Sequence, residues 1–517
     1  MVSRIYLMGI DIGTTSTKAV LFREDGSVVS AGNVGYPLLT PTPSVAEQNP
    51  DEILSAVLAS VRQAVEQAGA RPEDVRFVSA SSAMHSVLPL DESGRPLMNA
   101  LTWADNRSAE WSKRLKTELG GHELYLRTGT PVHPMSPITK LLWLRHERPE
   151  LFARAAKFVS LKEYVFYKLF GRFAIDYSMA SATGMFNLEK LDWDEEALRV
   201  AGIARDKLSE PVPTTHRLEG MNSELAAEMG LLPSTPFVVG ASDGVLSNLG
   251  LDATAPGVVA VTIGTSGAIR TVTDRPQTDP KGRYFCYALT ERHWVIGGPV
   301  NNGGVIFRWV RDEFAASETE TAKRLGISPY DVLTRIAERV RPGSDGLLFH
   351  PYLTGERAPL WNPDARGSFF GLTLHHQKEH MIRAALEGVV YNLYTVLLAM
   401  QEQTGVPRRI KATGGFARSP LWRQMIADIM GQSVVVPESY ESSCLGAVVL
   451  GKLAFGEKDA FEQVAGMVGT THEHVPNPEA SAVYRELLPI FVRLSRRLEE
   501  EYADLARFQT KLFEDAE

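Results

Sequence analysis

Two carboxylates in this chain stand where a short apolar run gives way to a turn. Asp11 follows the run 6–10, and Asp243 follows the run 237–239 through Gly240, Ala241 and Ser242. A carboxylate held at the end of a buried strand can accept a proton from a substrate hydroxyl, or hold a hard cation such as Mg2+ directly or through water. Asp243 is the candidate general base and Asp11 the candidate Mg2+ anchor. An aspartate in the position of Asp243 also suits the cap of a following helix, so its placement alone leaves both roles open.

Directly after Asp11 come Gly13 and four hydroxyl side chains, Thr14, Thr15, Ser16 and Thr17, closed by Lys18. Apolar residues resume at 19–22, so the stretch reads as strand, polar turn, strand. Many hydroxyl donors with one cation suit an anion rich in acceptor oxygens, phosphate above all. The run lacks the G-x-x-x-x-G-K-[ST] spacing of a Walker A loop. Taken alone, it fits an ordinary threonine-rich turn equally well. The same pattern returns half a chain later: an apolar run 258–263, then Gly264, Thr265, Ser266 and Gly267, then 268–272. A repeat at so long a period indicates two similarly built domains rather than a solenoid, with boundaries expected at 1–252 and 253–517. Thr14, Thr15 and Lys18 from one hairpin, and Thr265 and Ser266 from the other, would grip a polyphosphate.

A third candidate site is Gly414-Gly415, between the strand-like run 410–413 and a helix announced by Ser419 as N-cap and Pro420 as first residue. Paired glycines let a flat ligand approach the backbone, and a helix start offers free N–H groups to an anion. A tight strand–helix turn accounts for the glycines as well. Met84, His85, Trp103, Asp105 and Arg107 follow first-half strands and mix hydrogen-bonding groups with an aromatic plate, as a polyol site would. Each of them singly also suits a core position. The pair His375-His376 has no partner at metal-ligand spacing and receives no role.

The elements that must position these residues alternate. Strand-like runs 28–35, 75–82 and 434–437 are interleaved with helical patterns at 50–67, 378–403 and 444–451, which indicates an α/β chain. The tail 476–517 reads as one long amphipathic charged helix. A chain of 517 residues is long enough for two or more cores. A net charge of −8 argues against a general nucleic-acid surface. Two distant cysteines make no disulfide framework or zinc site and fit a reducing cytoplasm. The run 386–400 carries Glu387 and Asn392 and reads as a buried helix, not a membrane span.

Taken together, these motifs resemble the FGGY carbohydrate kinases from end to end. Residues 8–21 resemble that family's first phosphate hairpin, 241–244 its catalytic-base motif and 262–267 its second hairpin. YLTGERAPLWNPDARGSFFG (352–371), continuing to His380 and Glu387, resembles its C-terminal signature, and GGFARS (414–419) its adenosine-binding corner. The resemblance implies two actin-like (ribonuclease H-like) domains with the active site in the cleft between them, ATP with Mg2+, and Asp243 as general base. It also places Gly304 and Arg308 beside the nucleotide. Met84-His85 and Gly244 depart from the glycerol-specific pattern and match the pentose and aldonate branches. The segments 81–86, 102–107 and 128–135 look most like the branch acting on gluconate, with D-xylulose the alternative. Gluconate adds a carboxylate to a polyol, for which Arg107, or else Lys140, is the candidate partner. An actin-like or chaperone-like ATPase is the competing class. Expected partners are small molecules only, with a homodimer as the expected assembly and neither nucleic acid nor membrane.

Overall fold

The structure is a computed structural model that describes residues 5–437 and 441–514. The chain divides into two compact units. The first joins 1–255 with 272–296 and 441–469, and the second joins 256–271 with 297–440 and 470–517.

The first unit is built on a six-stranded sheet in the order Arg217–Leu218, Phe237–Ser242, Val75–Ser82, Tyr6–Ile12, Ser16–Phe22, Val28–Gly35. Tyr6–Ile12 runs antiparallel to Ser16–Phe22 and parallel to Val75–Ser82, which in turn runs parallel to Phe237–Ser242. Alternation along the first strand assigns its two faces. Tyr6, Met8, Ile10 and Ile12 pack with Ile53, Val57, Val61 and Val65 of the helix Pro50–Ala68. Leu7 points the other way, with Val20, Phe22 and Phe77, against Cys444, Leu445 and Val448 of the helix Ser442–Ala454. Both faces are therefore covered, and for that reason the strand reads as apolar throughout rather than alternating.

The helix Ser442–Ala454 lies so close that side chains are excluded at its contacts. A Cβ on Gly9 would stand 2.2 Å from the Cys444 carbonyl oxygen. Where the helix meets Asp243–Gly250, a Cβ on Gly446 would stand 2.0 Å from the Leu246 carbonyl oxygen, and one on Gly250 1.9 Å from that of Ser442. These glycines set the depth of the packing.

In the second unit the strand Val258–Ile263 pairs antiparallel with Gly267–Thr273 and parallel with Arg409–Thr413, then come Val434–Pro437 and Thr470–His474. A hairpin followed by a parallel neighbour is also the arrangement of Ser16–Phe22, Tyr6–Ile12 and Val75–Ser82, as the repeated motif indicates. The 27-residue helix Lys378–Thr404 is long and apolar enough to cross a membrane, but most of it is buried inside the protein. It is the core helix of this unit. The tail differs from expectation. It forms two helices, Pro478–Arg497 and Glu499–Glu514, broken at Leu498, which leaves helical geometry at φ −92° and ψ 3°. An unbroken 3.6-residue pattern across 498 hid the break, because periodicity alone does not register a local change in backbone angle.

Candidate active site

Asp11 and Asp243 come to the same end of the first sheet. Asp11 pairs in register with Ser81, and Ala241 and Ser242 pair with Ser81 and Ser82, so both aspartates sit at the C-terminal end of parallel strands flanking Val75–Ser82. Ligand sites in open α/β sheets form at that end. Ser81 Oγ donates to Asp11 Oδ1 at 2.8 Å. Burial, then the nearby Asp243 carboxylate, pushes the Asp11 carboxyl up to about 6, against the opposing effects of Ser81 and Lys18. Ser242 occupies the N-cap of the helix Asp243–Gly250, so Asp243 is the first helical residue and not the cap. Its Oδ1 accepts the Gly244 N–H at 2.6 Å.

The first hairpin turn is braced through its carbonyls. Gly13 N–H donates to Ser16 O, Tyr36 Oη to Gly13 O and Gln48 Nε2 to Thr14 O. Thr15 is left exposed, and Trp103 Nε1 donates to Thr14 Oγ1 at 2.9 Å, which ties a candidate sugar residue to the candidate phosphate turn. Lys18 lies opposite Asp11 in the hairpin and pairs with both oxygens of Glu441 at 3.1 Å.

His85 holds a φ of 72°, uncommon for a residue with a side chain, and its Nδ1 meets the Ala182 carbonyl at 2.8 Å. Tyr287 stands edge-on to its ring at 6.0 Å, and Met84 packs beside the same cluster. Asp105 is 1% exposed and accepts from the Ala46 N–H and from Arg107. Arg107 spends Nε and Nη2 on Asp105 and Glu47, and its guanidinium lies 4.8 Å over the Trp143 ring. Among the described residues, its Nη1 edge meets no bonded oxygen. Lys140 is fully buried and donates to the Pro134 and Met135 carbonyls at 2.8 and 2.6 Å. It fastens that loop from beneath, and desolvation pushes its ammonium down to about 7.

In the second unit, Gly264 N–H donates to Ser266 O at 2.9 Å, repeating the tight turn of the first hairpin. The N–H groups of Gly303, Gly304 and Val305 seat the helix Gly304–Trp309 on the carbonyls of Gly264 and Thr265. Gly414 has φ 115° and presses on Ile263, where a Cβ would stand 2.3 Å from the carbonyl oxygen. A Cβ on Gly415 would meet nothing within 4 Å. Ser419 caps Pro420–Met430 by accepting the Trp422 N–H. Gly264, Thr265, Gly304, Arg308, Gly415 and Ser419 all line one cavity of ≈ 570 Å³. That volume accommodates a nucleotide.

Models of the FGGY family of carbohydrate kinases match the chain over both halves, the N-terminal domain at residues 6–250 and the C-terminal domain at 259–455. The chain belongs to the FGGY family of carbohydrate kinases. It is 62% identical over 509 residues to gluconokinase of Bacillus subtilis (strain 168), covering 98% of this chain and 99% of that one. Among solved structures it is similar to gluconate kinase from Lactobacillus acidophilus, with TM-score 0.91 and 37% identity over 97% of this chain and 99% of the other. A ligand-bound xylulose kinase from the same organism has TM-score 0.92 and 36% identity over the same shares. Two α/β domains of this kinase type are therefore the fold.

Several cavity residues of this FGGY kinase escape a motif search. Phe307, Tyr330, Phe416 and Trp422 form its aromatic walls, with Phe307 5.1 Å from Tyr330 and 5.7 Å from Trp422 between ring centres. Ser328 and Asp331 lie in a stretch that its charge marks only as solvated. The signal was present in Phe416 and Arg418, inside GGFARS. His375, given no role above, meets Asp345 Oδ2 through Nε2 at 3.0 Å, and His380 Nε2 does so at 3.4 Å. His380 Nδ1 accepts the Gln377 N–H, so its proton sits on Nε2, facing Asp345. The group is a hydrogen-bonded brace for the start of the long helix, and that proton occupies the position a metal would take.

Proposed function

We propose that this chain is an ATP-dependent kinase that converts D-gluconate to 6-phospho-D-gluconate in a reducing cytoplasm. The observation that carries it is 62% identity to a gluconokinase over almost the whole of both chains. Its two cysteines are unpaired and buried, which suits that compartment. An ATPase of the actin or chaperone type is disfavoured, since the models of the FGGY carbohydrate kinases match residues 6–250 and 259–455.

In this proposal the adenosine occupies the cavity lined by Phe307, Tyr330, Gly415 and Phe416, with Ser419 at its helix start. The exposed hairpin hydroxyls Thr15 and Thr265, with Thr14, Ser266, Lys18, Gly304 and Arg308, hold the phosphates. Asp243 takes the proton of the acceptor hydroxyl as its oxygen bonds the γ-phosphorus and the bond to the β-phosphate oxygen breaks, releasing ADP. His85, Met84 and Trp103 orient the polyol, Asp105 holds Arg107, and the Nη1 edge of Arg107 meets the carboxylate. Asp11 fits Mg2+: it offers a hard oxygen donor, and the repulsion it meets from Asp243 is what a divalent cation relieves. Bound there, Mg2+ would neutralise charge on the transferred phosphate.

The test is coupled ADP release across gluconate, D-xylulose, D-ribulose and glycerol, with wild type and Asp243→Asn. Turnover on gluconate is expected to exceed the others, and the variant to lose about 10²–10⁴-fold in kcat with nucleotide binding intact. Efficient turnover only on a neutral ketose would overturn the substrate assignment.

A further inference from the structure

The short helix Tyr177–Ser181 connects the two groups on which the proposed transfer depends, and its anchors are buried. Just past its C-terminal end the Ala182 carbonyl accepts from His85 Nδ1. Near its start, Ser178 Oγ accepts the Ser242 N–H at 3.2 Å and shares a hydrogen bond with Ser242 Oγ at 3.0 Å, one residue before Asp243. Asp176 is the helix N-cap and accepts the Met179 N–H through Oδ1. Its other oxygen accepts from Lys162 Nζ at 2.8 Å, and the same ammonium donates to the Ala241 carbonyl at 3.3 Å.

Lys162 and Asp176 are 1% and 2% exposed, a setting in which an ion pair gains little net stability over apolar side chains of like size. A buried pair of this kind calls for another reason, and the adjacent strand supplies one. The pairing of Phe237–Ser242 with Val75–Ser82 slips between Val238 and Ala241, where Gly240 has φ 69° and a Cβ would stand 1.8 Å from the Ala80 carbonyl oxygen. Such a bulge re-aims the residues after it, and those residues lead into Asp243. The Ala241 carbonyl and Ser242 N–H are then taken up by Lys162 and Ser178.

We infer that Lys162 and Asp176 are positioning residues that seat the Tyr177–Ser181 helix, and through it fix the spacing between His85, at the acceptor, and Asp243, at the base. This rests on the assignment of those two residues above. The consequence is coupling. With the acceptor aligned, its hydroxyl oxygen bonds the γ-phosphorus as the bond to ADP breaks, and Asp243 takes the proton. With the spacing loosened, water competes for the same phosphorus, and ATP and water give ADP, inorganic phosphate and a proton.

The test measures ADP and 6-phosphogluconate formed in the same reaction. For Lys162→Met the ratio of ADP to phosphorylated product is expected to rise about tenfold or more from near unity, with kcat for product falling and KM for ATP unchanged. Unfolded enzyme makes neither product, so the ratio is blind to a merely destabilised fold. Should the unpaired Asp176 prevent folding, Lys162→Met/Asp176→Asn removes both charges and keeps a capping side chain. A ratio that stays near unity in the folded variants overturns the positioning role. Asp243→Asn is assayed in parallel: near-normal turnover there overturns the base assignment itself, a separate result from an unchanged ratio.

Discussion

Asp11→Asn should make the metal-free protein more stable and the enzyme almost inactive. The Asp11 carboxyl is pushed from 3.8 to about 6, first by burial and then by Asp243. A carboxyl with a raised folded-state pKa binds its proton more tightly when folded. It costs no stability below about 4, and a growing amount as pH rises to about 6, beyond which the cost is constant. A shift of about 2 units corresponds to about 3 kcal/mol. Asp11 keeps part of its surface in water, and screening there brings the expected figure to about 1–3 kcal/mol. Asparagine carries no charge and still accepts the Ser81 hydroxyl hydrogen bond. Denaturant unfolding without Mg2+ at pH 4 and pH 8 should therefore show little difference at pH 4 and a more stable variant at pH 8. Saturating Mg2+ should stabilise wild type at pH 8 and leave the variant nearly unchanged, because the cation's anchor is gone. Kinase turnover should fall by about 10²-fold or more. A variant that is less stable at pH 8, or a gain independent of pH, refutes the strained-anion argument. Retained turnover removes Asp11 from the metal site.

Two glycines should behave oppositely. Gly446→Ala puts a methyl 2.0 Å from the Leu246 carbonyl oxygen, so the two helices must part; unfolding by denaturant should show a loss of about 2 kcal/mol or more, and wild-type stability would contradict the packing. Gly415→Val places its side chain in open space beside the cavity, so Tm should hold while overpacking of about 1–3 kcal/mol against the nucleotide raises the KM for ATP about 5- to 150-fold. An unchanged KM would move the nucleotide elsewhere.

Much of this protein is written locally. The hairpin turns at Gly13 and Gly264, the helix caps at Asn49 and Ser419, and the strand-end positions of Asp11 and Asp243 follow from turn chemistry, capping and hydrophobic period, each of which acts within a few residues. The family motifs lie in those same local stretches, so family membership was legible from them.

What required the tertiary structure was every partnership made across distance. Residues 441–469 return to the first unit, where Glu441 meets Lys18 and Gly446 fits against Leu246. Arg107 suits a carboxylate by type, yet most of its fork goes to Asp105 and Glu47; Lys140, equally suited by charge, lies beneath a loop. Phe307, Tyr330 and Trp422 carry no motif and meet only because three separate segments pack around one cavity. A side chain's type states what it can bind. Packing over long sequence separations decides what it does bind, because burial and competing hydrogen bonds use up its capacity before a ligand arrives.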